Sequence, residues 1–588
     1  INDKAFVYEN RSEKFQQNNF LNIRFKGSEH NRFGIGAIAE IFYGKGQTQV
    51  AENSPCRGYL SSMDASVHFG LGSVTSVDSV HIKWPGGKQE TIIHPSINRV
   101  INADISKALV NIETPGLVQP VFNEISNEAN VHLRHLEADY IDFDIQRLLP
   151  HKLSEYGPGL AAGDVDGNGL DDLFIGASHG FEGTFLLQQP TGKFIQKGLP
   201  AVNMPDARKP EIMGSLLFDA DKDGDLDLYT ASGSNESVEG SKDYQDRFFR
   251  NDGKGNFTYD SAALPKNFAS KSCVNAADFD KDGDLDLFVG SRLIPFKYPM
   301  PASSFIFRND SDGGNIKFTD ITKETAPGLL GIGLICDAVW SDYDNDGWPD
   351  LVIAGEWMPV TFFHNVKGTL EKVTTGLQNE VGWWNSIAAG DFDNDGDIDY
   401  VAGNQGENSY YRGDSSYPVR IYDIEGVKNG RQIPVPSLYL PDTKGEKKEF
   451  PAHSRDDIIS QLPALKKKFL TYQSFGEAEM GSLFSKDDLK NGYQLTANYF
   501  KSVYIENKGN GGFRLQPLPE MAQMAPLNGM VVEDINEDGY LDIIISGNDY
   551  GTEVSTGRFD AMNGLVMTGN GKGSFKALSL KETGFFVP

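Results

Sequence analysis

Asp278-Phe-Asp280-Lys-Asp282-Gly283-Asp-Leu-Asp286 runs directly into Leu287-Phe-Val-Gly290, and this junction of an acidic loop with a short apolar run decides the fold. Five other stretches align with it, without gaps, over nine positions. They are Asp164-Val-Asp166-Gly-Asn168-Gly-Leu-Asp-Asp172, Asp219-Ala-Asp221-Lys-Asp223-Gly-Asp-Leu-Asp227 and Asp342-Tyr-Asp344-Asn-Asp346-Gly-Trp-Pro-Asp350, then Asp391-Phe-Asp393-Asn-Asp395-Gly-Asp-Ile-Asp399 and Asp534-Ile-Asn536-Glu-Asp538-Gly-Tyr-Leu-Asp542. Positions 1, 3, 5 and 9 are always Asp or Asn, and position 6 is always Gly.

A hard cation asks for this spacing. It takes six to eight oxygens at about 2.3–2.6 Å, and carboxylates at alternate loop positions converge on one point. Gly at position 6 permits the sharp turn that brings later ligands round. Mg2+ holds its waters and tolerates less crowding, so calcium is the expected ion at about six structural sites. An EF-hand begins in the same way but ends on a bidentate Glu at position 12. Here position 12 is Ile175, Thr230, Val289, Ile353, Ala402 or Ile545, so that motif is excluded. Turns without metal would crowd carboxylates that repel one another.

A second pattern accompanies the loops. Arg250-Asn-Asp-Gly-Lys-Gly-Asn-Phe257, Arg308-Asn-Asp, His364-Asn-Val-Lys-Gly, Glu506-Asn-Lys-Gly-Asn-Gly-Gly-Phe513 and Thr568-Gly-Asn-Gly-Lys-Gly-Ser-Phe575 read as hairpin turns. Each unit is then strand, acidic loop, strand, hairpin, which makes about four strands and one propeller blade. Five loops start 49 to 64 residues apart, whereas Asp391 and Asp534 are 143 apart. Val419-Arg-Ile-Tyr-Asp423-Ile-Glu425-Gly-Val-Lys-Asn429-Gly reads as a degenerate loop within that gap, hence a seventh blade without metal. Ser454 and Ser485 open two helical stretches of an insertion over about 454–492. The predicted fold is all-β: a seven-bladed β-propeller preceded by a small β-sandwich, with a short helical insertion.

Composition agrees. Of the 588 residues, 63 are Gly and 28 Pro, and 82 acidic residues against 54 basic give a net charge of −28. Such a surface repels phosphate backbones, so a nucleic-acid partner is not expected. Length alone suggests three or four domains, a prior that repeats override. Cys56, Cys273 and Cys336 are too few and too far apart for a disulfide scaffold and read as isolated buried thiols. There is no apolar run of 18 residues. Ile1 already reads as part of a strand, which points to a processed or truncated chain.

The acidic loops followed by Gly-Ala or Gly-Ser resemble the FG-GAP/VCBS repeats of integrin-α-type propellers, over roughly 120–580. The resemblance implies structural calcium at the loop positions named above. Asn31-Arg-Phe-Gly-Ile-Gly-Ala37, Arg57-Gly-Tyr-Leu-Ser-Ser62, His68-Phe-Gly-Leu-Gly72 and Val80-His-Ile-Lys-Trp-Pro-Gly-Gly87 resemble the ASPIC/UnbV module. The expected division is this sandwich over 1–110, a linker and leading strand over 111–157, and the propeller over 158–588. Together the two parts are similar to the cartilage acidic protein family and its exported relatives, common in Bacteroidetes. That resemblance implies a surface lipoprotein, with a preceding propeller and the lipid-anchored N-terminal part missing. Gly34-Ile-Gly36 approximates a dinucleotide fingerprint but lacks the following helix, so it reads as a tight turn.

Three constellations bear on chemistry. His132, His135 and Glu137, with Asp142 and Gln146, have spacing suited to a transition metal, though an exposed linker accounts for them too. Trp357, Trp383 and Trp384, with Tyr410 and Tyr411, suit either a ligand face or packing between blades. Glu553, Arg558 and Asp560 form a charged face, of which Arg558 and Asp560 join the tryptophans as the candidate ligand face. No nucleophile elbow, P-loop or HExxH stretch is present. The expectation is a cell-surface or extracellular binding or scaffold protein that recognises a protein or glycan or joins an outer-membrane complex. The alternative is a polysaccharide-active lyase or glycosidase using a propeller face.

Overall fold

In a computed structural model, residues 5–11, 18–44, 46–58, 60–110, 119–202, 209–423, 432–509 and 511–587 are described. The chain divides into two compact units, Ile1–Val118 and Gln119–Pro588.

The first unit is a β-sandwich. One sheet sets Asn19–Lys26 between Ser66–Gly72 and Arg99–Asp104; the other orders Gln47–Glu52, Ile38–Tyr43, Ser79–Lys83, Lys88–Ile93 and Leu109–Val110. Strand alternation sends Leu21, Ile23 and Phe25 from one sheet, and Ala39, Ile41, Val80 and Ile82 from the other, into one core. Gly34 has φ 60°, and a Cβ there would meet Phe25 and Trp84 at 2.8 Å, so the Gly34-Ile-Gly36 stretch is a packed turn. The strand expected at Ile1 lies outside the described residues; the first described strand starts at Asn19.

The second unit repeats one antiparallel four-stranded sheet. In the third copy, Ser270–Ala277 and Asp286–Leu293 are joined by the acidic loop, and Phe305–Asn309 and Phe318–Asp320 complete the sheet. Five other copies, each with its acidic loop between the first two strands, share this order. The first strands of the six sheets neighbour one another in chain order. Backbone hydrogen bonds of the leading segment tie the two ends of the unit together: Phe122 donates to Thr583 at 2.8 Å and Lys152 to Gly551 at 2.7 Å, while Phe194 of the first sheet donates to Ala129 at 2.8 Å. The fold is a β-propeller.

The 143-residue gap has a topological cause. The fifth blade begins with Ser386–Gly390 and Asp399–Gly403 but takes its outer strands from Val503–Asn507 and Phe513–Pro517. Between them the chain builds a separate sheet in the order Lys447–Pro451, Pro434–Pro441, Val419–Asp423 and Tyr493–Ala497. This is the sheet expected as a seventh blade. It is nested inside the fifth, and none of its described residues lines the central cavity that the six sheets with acidic loops border. Of the degenerate loop, 424–430 lies outside the described residues.

The insertion is helical as expected, in shorter pieces. Ser454 caps Arg455–Gln461, and Ser485 closes a capping box on Lys486–Asn491. Pro463 halts the first helix, so Leu465 lies in a 3₁₀ turn; Tyr472–Gly476 and Met480–Leu483 lie between. Ile458, Phe469, Phe475, Met480 and Leu483 share one core with Tyr422, Ile433 and Val435 around the nested sheet and with Leu148 of the leading segment.

Candidate metal centres

The loop backbone is wired identically in all six copies. Gly at position 6 sits at φ 82–95° and donates its N–H to the position-1 carboxylate, at 2.8–3.1 Å, from Gly169, Gly224, Gly283, Gly347, Gly396 and Gly539. The position-9 carboxylates of Asp172, Asp227, Asp286, Asp350, Asp399 and Asp542 are buried. Each accepts an N–H from the third strand at 2.7–2.9 Å, from Gln188, Asn251, Asn309, Asn365, Asn507 and Gly569. Three of the expected positions come together in each of several loops: Asp164, Asp166 and Asp172, Asp219, Asp221 and Asp223, and Asp278, Asp280 and Asp282 each group tightly enough to hold a metal ion.

Electrostatics show what these groups lack. Burial, reinforced by neighbouring loop carboxylates, pushes Asp227 up to about 7, Asp286 to about 8 and Asp350 to about 7; burial chiefly pushes Asp399 to about 6. Asp221 Oδ1, Asp278 Oδ1, Asp286 Oδ2 and Asp393 Oδ1 are buried oxygens with no hydrogen-bond partner. Acceptor oxygens without donors, on carboxyls crowded together in one turn, fit a divalent cation. Loop two has a positive charge beside it, Arg250 at 3.9 Å from Asp221, and loop four an imidazole, His364 at 3.2 Å from both Asp344 and Asp350.

Contacts between loops were not legible in the nine-residue pattern. Position 4 is left-handed in every loop, φ 58–74°, including Lys222, Lys281, Asn345, Asn394 and Glu537. From there Lys222 reaches Asp284 at 2.5 Å, Lys281 covers the Trp348 ring at 4.5 Å, and Asn345 donates to Asp397 at 2.7 Å. In each case position 4 meets position 7 of the next loop. The Asn residues read as hairpin formers have a second role: the side chains of Asn251, Asn309, Asn365 and Asn507 donate to the carbonyls of Val165, Ala220, Phe279 and Tyr343 in the preceding loop, at 2.7–2.9 Å. Recurrence of Asn directly after Arg, His or Glu was the available signal.

These features coincide with known sequence families. An FG-GAP repeat model matches 156–190, and an FG-GAP-like repeat model matches 219–289 and 342–402. The ASPIC and UnbV model matches 27–109. The chain carries FG-GAP repeats and an ASPIC/UnbV module. No curated protein matches the sequence. Among solved structures, an Agrocybe aegerita lectin, described for specific recognition of non-reducing terminal N-acetylglucosamine, aligns with TM-score 0.37 and 15% identity over 87% of this chain and 92% of its own. The V. cholerae biofilm matrix protein Bap1 aligns with TM-score 0.25 and 10% identity over 74% of this chain and 87% of its own.

The FG-GAP blades surround a polar cavity of about 680 Å3, to which all six contribute, through Leu160, Ser215, Asn275, Asp337, Asn385 and Asn528. Cys273 and Cys336 also line it, while Cys56 is exposed, against the expectation of three buried thiols. One end of the cavity meets a packed network. Glu356, from the fourth blade, pairs with Arg292 and with His151 at 3.3 Å and accepts from Tyr298 at 3.0 Å, while Tyr156 bonds His151 at 2.6 Å under the Arg292 guanidinium. Burial favours neutral Glu356, but His151 and Arg292 outweigh it and hold the carboxyl well below its usual range.

The tryptophans belong to this packing. Trp357, Trp383 and Trp384 are at most 4% exposed, and Trp383 packs on Trp357, Tyr411 and Phe500. Burial removes them from the expected ligand face: Trp357 and Trp383 fill the space under the inserted sheet, and Trp384 packs between the fourth and fifth blades. Arg558 and Asp560 are exposed, with Arg558 over the Tyr550 ring.

The His-rich stretch is redistributed. His132 is exposed, while Asp142 accepts from Leu153, Ser154 and Asn235, and Gln146 donates to Tyr298. His135 pairs with Glu137, and nearby His179 lies 3.0 Å from Glu236. Behind them Glu211, 1% exposed, is pushed up to about 7 by burial and by Glu236 and Glu137. A carboxyl raised on folding stabilises the fold below its ordinary value, 4.5, and loses that contribution as pH climbs through about 7. Glu211→Gln, permanently neutral, is expected to be more stable than the parent at pH 8.5, by up to roughly 3 kcal/mol, and nearly equal at pH 5. Urea melts at the two pH values check this; an unchanged difference refutes it.

Proposed function

We propose that this chain is a calcium-stabilised binding or scaffold protein of the cell surface, recognising a protein or glycan or serving within an outer-membrane complex. The buried, donorless carboxylate oxygens of the repeated loops carry the calcium part of this reading. Oxygen-only donors at alternate positions suit calcium, and an extracellular setting supplies it at concentrations that weak modules use. A charge of −28 is tolerable where such ions are abundant.

The binding part rests on exposed contact surface. The His151–Tyr156–Arg292–Glu356 set has residue types suited to acid–base work, and because Tyr156 and Arg292 also line the 680 Å3 cavity, the lyase or glycosidase alternative would act from there. Exposed groups such as Tyr550, Val554, Arg558 and Asp560 offer contact surface instead. The test is to pass polysaccharides and glycoproteins over the immobilised, calcium-loaded chain. Calcium-dependent retention with no new reducing ends or unsaturated products supports the reading; turnover would favour the lyase or glycosidase alternative.

Within the propeller, Asp282→Ala is expected to abolish cation binding at the third loop and leave the first, fifth and sixth unchanged, since repeat stabilities are local. The Lys222–Asp284 and Lys281–Trp348 contacts confine any spread to the second and fourth. Calcium stoichiometry falling by one checks this, and loss at all loops contradicts it.

A further inference from the structure

The residue just before the third-strand N–H that binds position 9 differs in chemistry from blade to blade: Leu187, Arg250, Arg308, His364, Glu506 and Thr568. The fourth blade places an imidazole there. His364 Nδ1 lies 3.2 Å from Asp344 Oδ2 and 3.2 Å from Asp350 Oδ1, and its Nε2 lies 4.0 Å from Asp346 Oδ2. Asp344, Asp346 and His364 form a group able to hold a metal ion. Tyr343 packs edge-on against the imidazole at 6.2 Å, which fixes its plane, and the ring is about a quarter exposed, so an ion has access.

We propose that the fourth loop takes a borderline transition-metal cation of the Zn2+ class in preference to calcium, through His364 Nδ1 with Asp344 and Asp350. This rests on the reading of the loops as cation sites and adds a selectivity that the other five lack. The argument is geometric and chemical. Zinc bonds of about 2.0–2.2 Å separate neighbouring donors by about 2.9–3.5 Å in octahedral or tetrahedral sites, and both nitrogen–oxygen distances fall in that range. Calcium takes oxygen donors, whereas imidazole suits zinc, cobalt, nickel and copper. At the equivalent places in loops two and three stands arginine, whose guanidinium only donates and cannot ligate a metal.

The test uses the full chain saturated with calcium and titrated with Co2+, read by visible d–d absorption and by metal content. One equivalent of Co2+ is expected to bind, to be displaced by Zn2+, and to bind at least about a hundredfold more weakly to His364→Gln, since loss of a direct ligand exceeds the 10–100-fold cost of an outer-shell change. His364→Asp, offering oxygen in place of nitrogen, is expected to move the preference back to calcium. Co2+ binding that is unchanged in His364→Gln, or a chain that binds calcium but no Co2+, overturns the proposal. A chain that binds neither ion also overturns the underlying reading of the loops, a result distinguished by the calcium content of the same samples.

Discussion

Exhaustive chelation is expected to lower the melting temperature of the protein by at least about 15 °C. A ligand that binds only the folded state, at a hundredfold excess over its Kd, contributes about 2.7 kcal/mol, and six such sites together supply about 16 kcal/mol. For a unit as large as Gln119–Pro588, each kcal/mol moves the midpoint by roughly 1 °C. The effect is large for a second reason. Removing the ion does not leave neutral turns; it leaves Asp227, Asp286 and Asp350 beside other carboxylates in a place where burial already opposes their ionisation. Calorimetry with and without EGTA, followed by calcium restoration, checks the prediction. Superimposable curves contradict it.

Glu356→Ala is the second large effect, expected to cost about 3–5 kcal/mol, the range for breaking one partner out of a buried ion-pair network. Glu356 is 3% exposed and receives His151, Arg292 and Tyr298 together. Its loss strands a guanidinium and an imidazole beneath the inserted sheet. Neighbouring Trp357 holds a left-handed backbone, φ 60°, and its indole N–H donates to Tyr298 at 2.6 Å, so the same network holds an uncommon conformation in place. Glu356→Gln keeps the shape and the Tyr298 contact and is expected to lose less. Denaturant midpoints of the two variants order the effects; equal stability of Glu356→Ala and the parent contradicts the account.

The loops were readable because their chemistry is local. Nine residues contain both the donors and the Gly that bends them together, and no distant partner is needed to recognise the pattern. The same holds for Ser454 and Ser485, whose caps lie within three residues. What could not be read depends on residues far apart in the chain. Glu356 meets His151 across 205 positions, and the fifth blade closes across about a hundred, so a sheet nested within it looked like a blade of its own. The tryptophans failed as surface markers for a related reason: aromatic residues at the ends of strands face a ligand or a neighbouring sheet according to what covers them, and here the inserted sheet covers Trp357 and Trp383 and the neighbouring blades cover Trp384. His135 and Glu137 did meet, but their companions His179 and Glu236 arrive from other blades.

Diffraction from crystals grown in calcium, with anomalous differences mapped at the acidic turns, tests the central claim most directly. The account predicts a peak in each of the six loops, ringed by oxygens of positions 1, 3, 5 and 9 at about 2.3–2.6 Å, with the fourth loop exchanging its ion when zinc is added. Turns that hold only water under those conditions would contradict it.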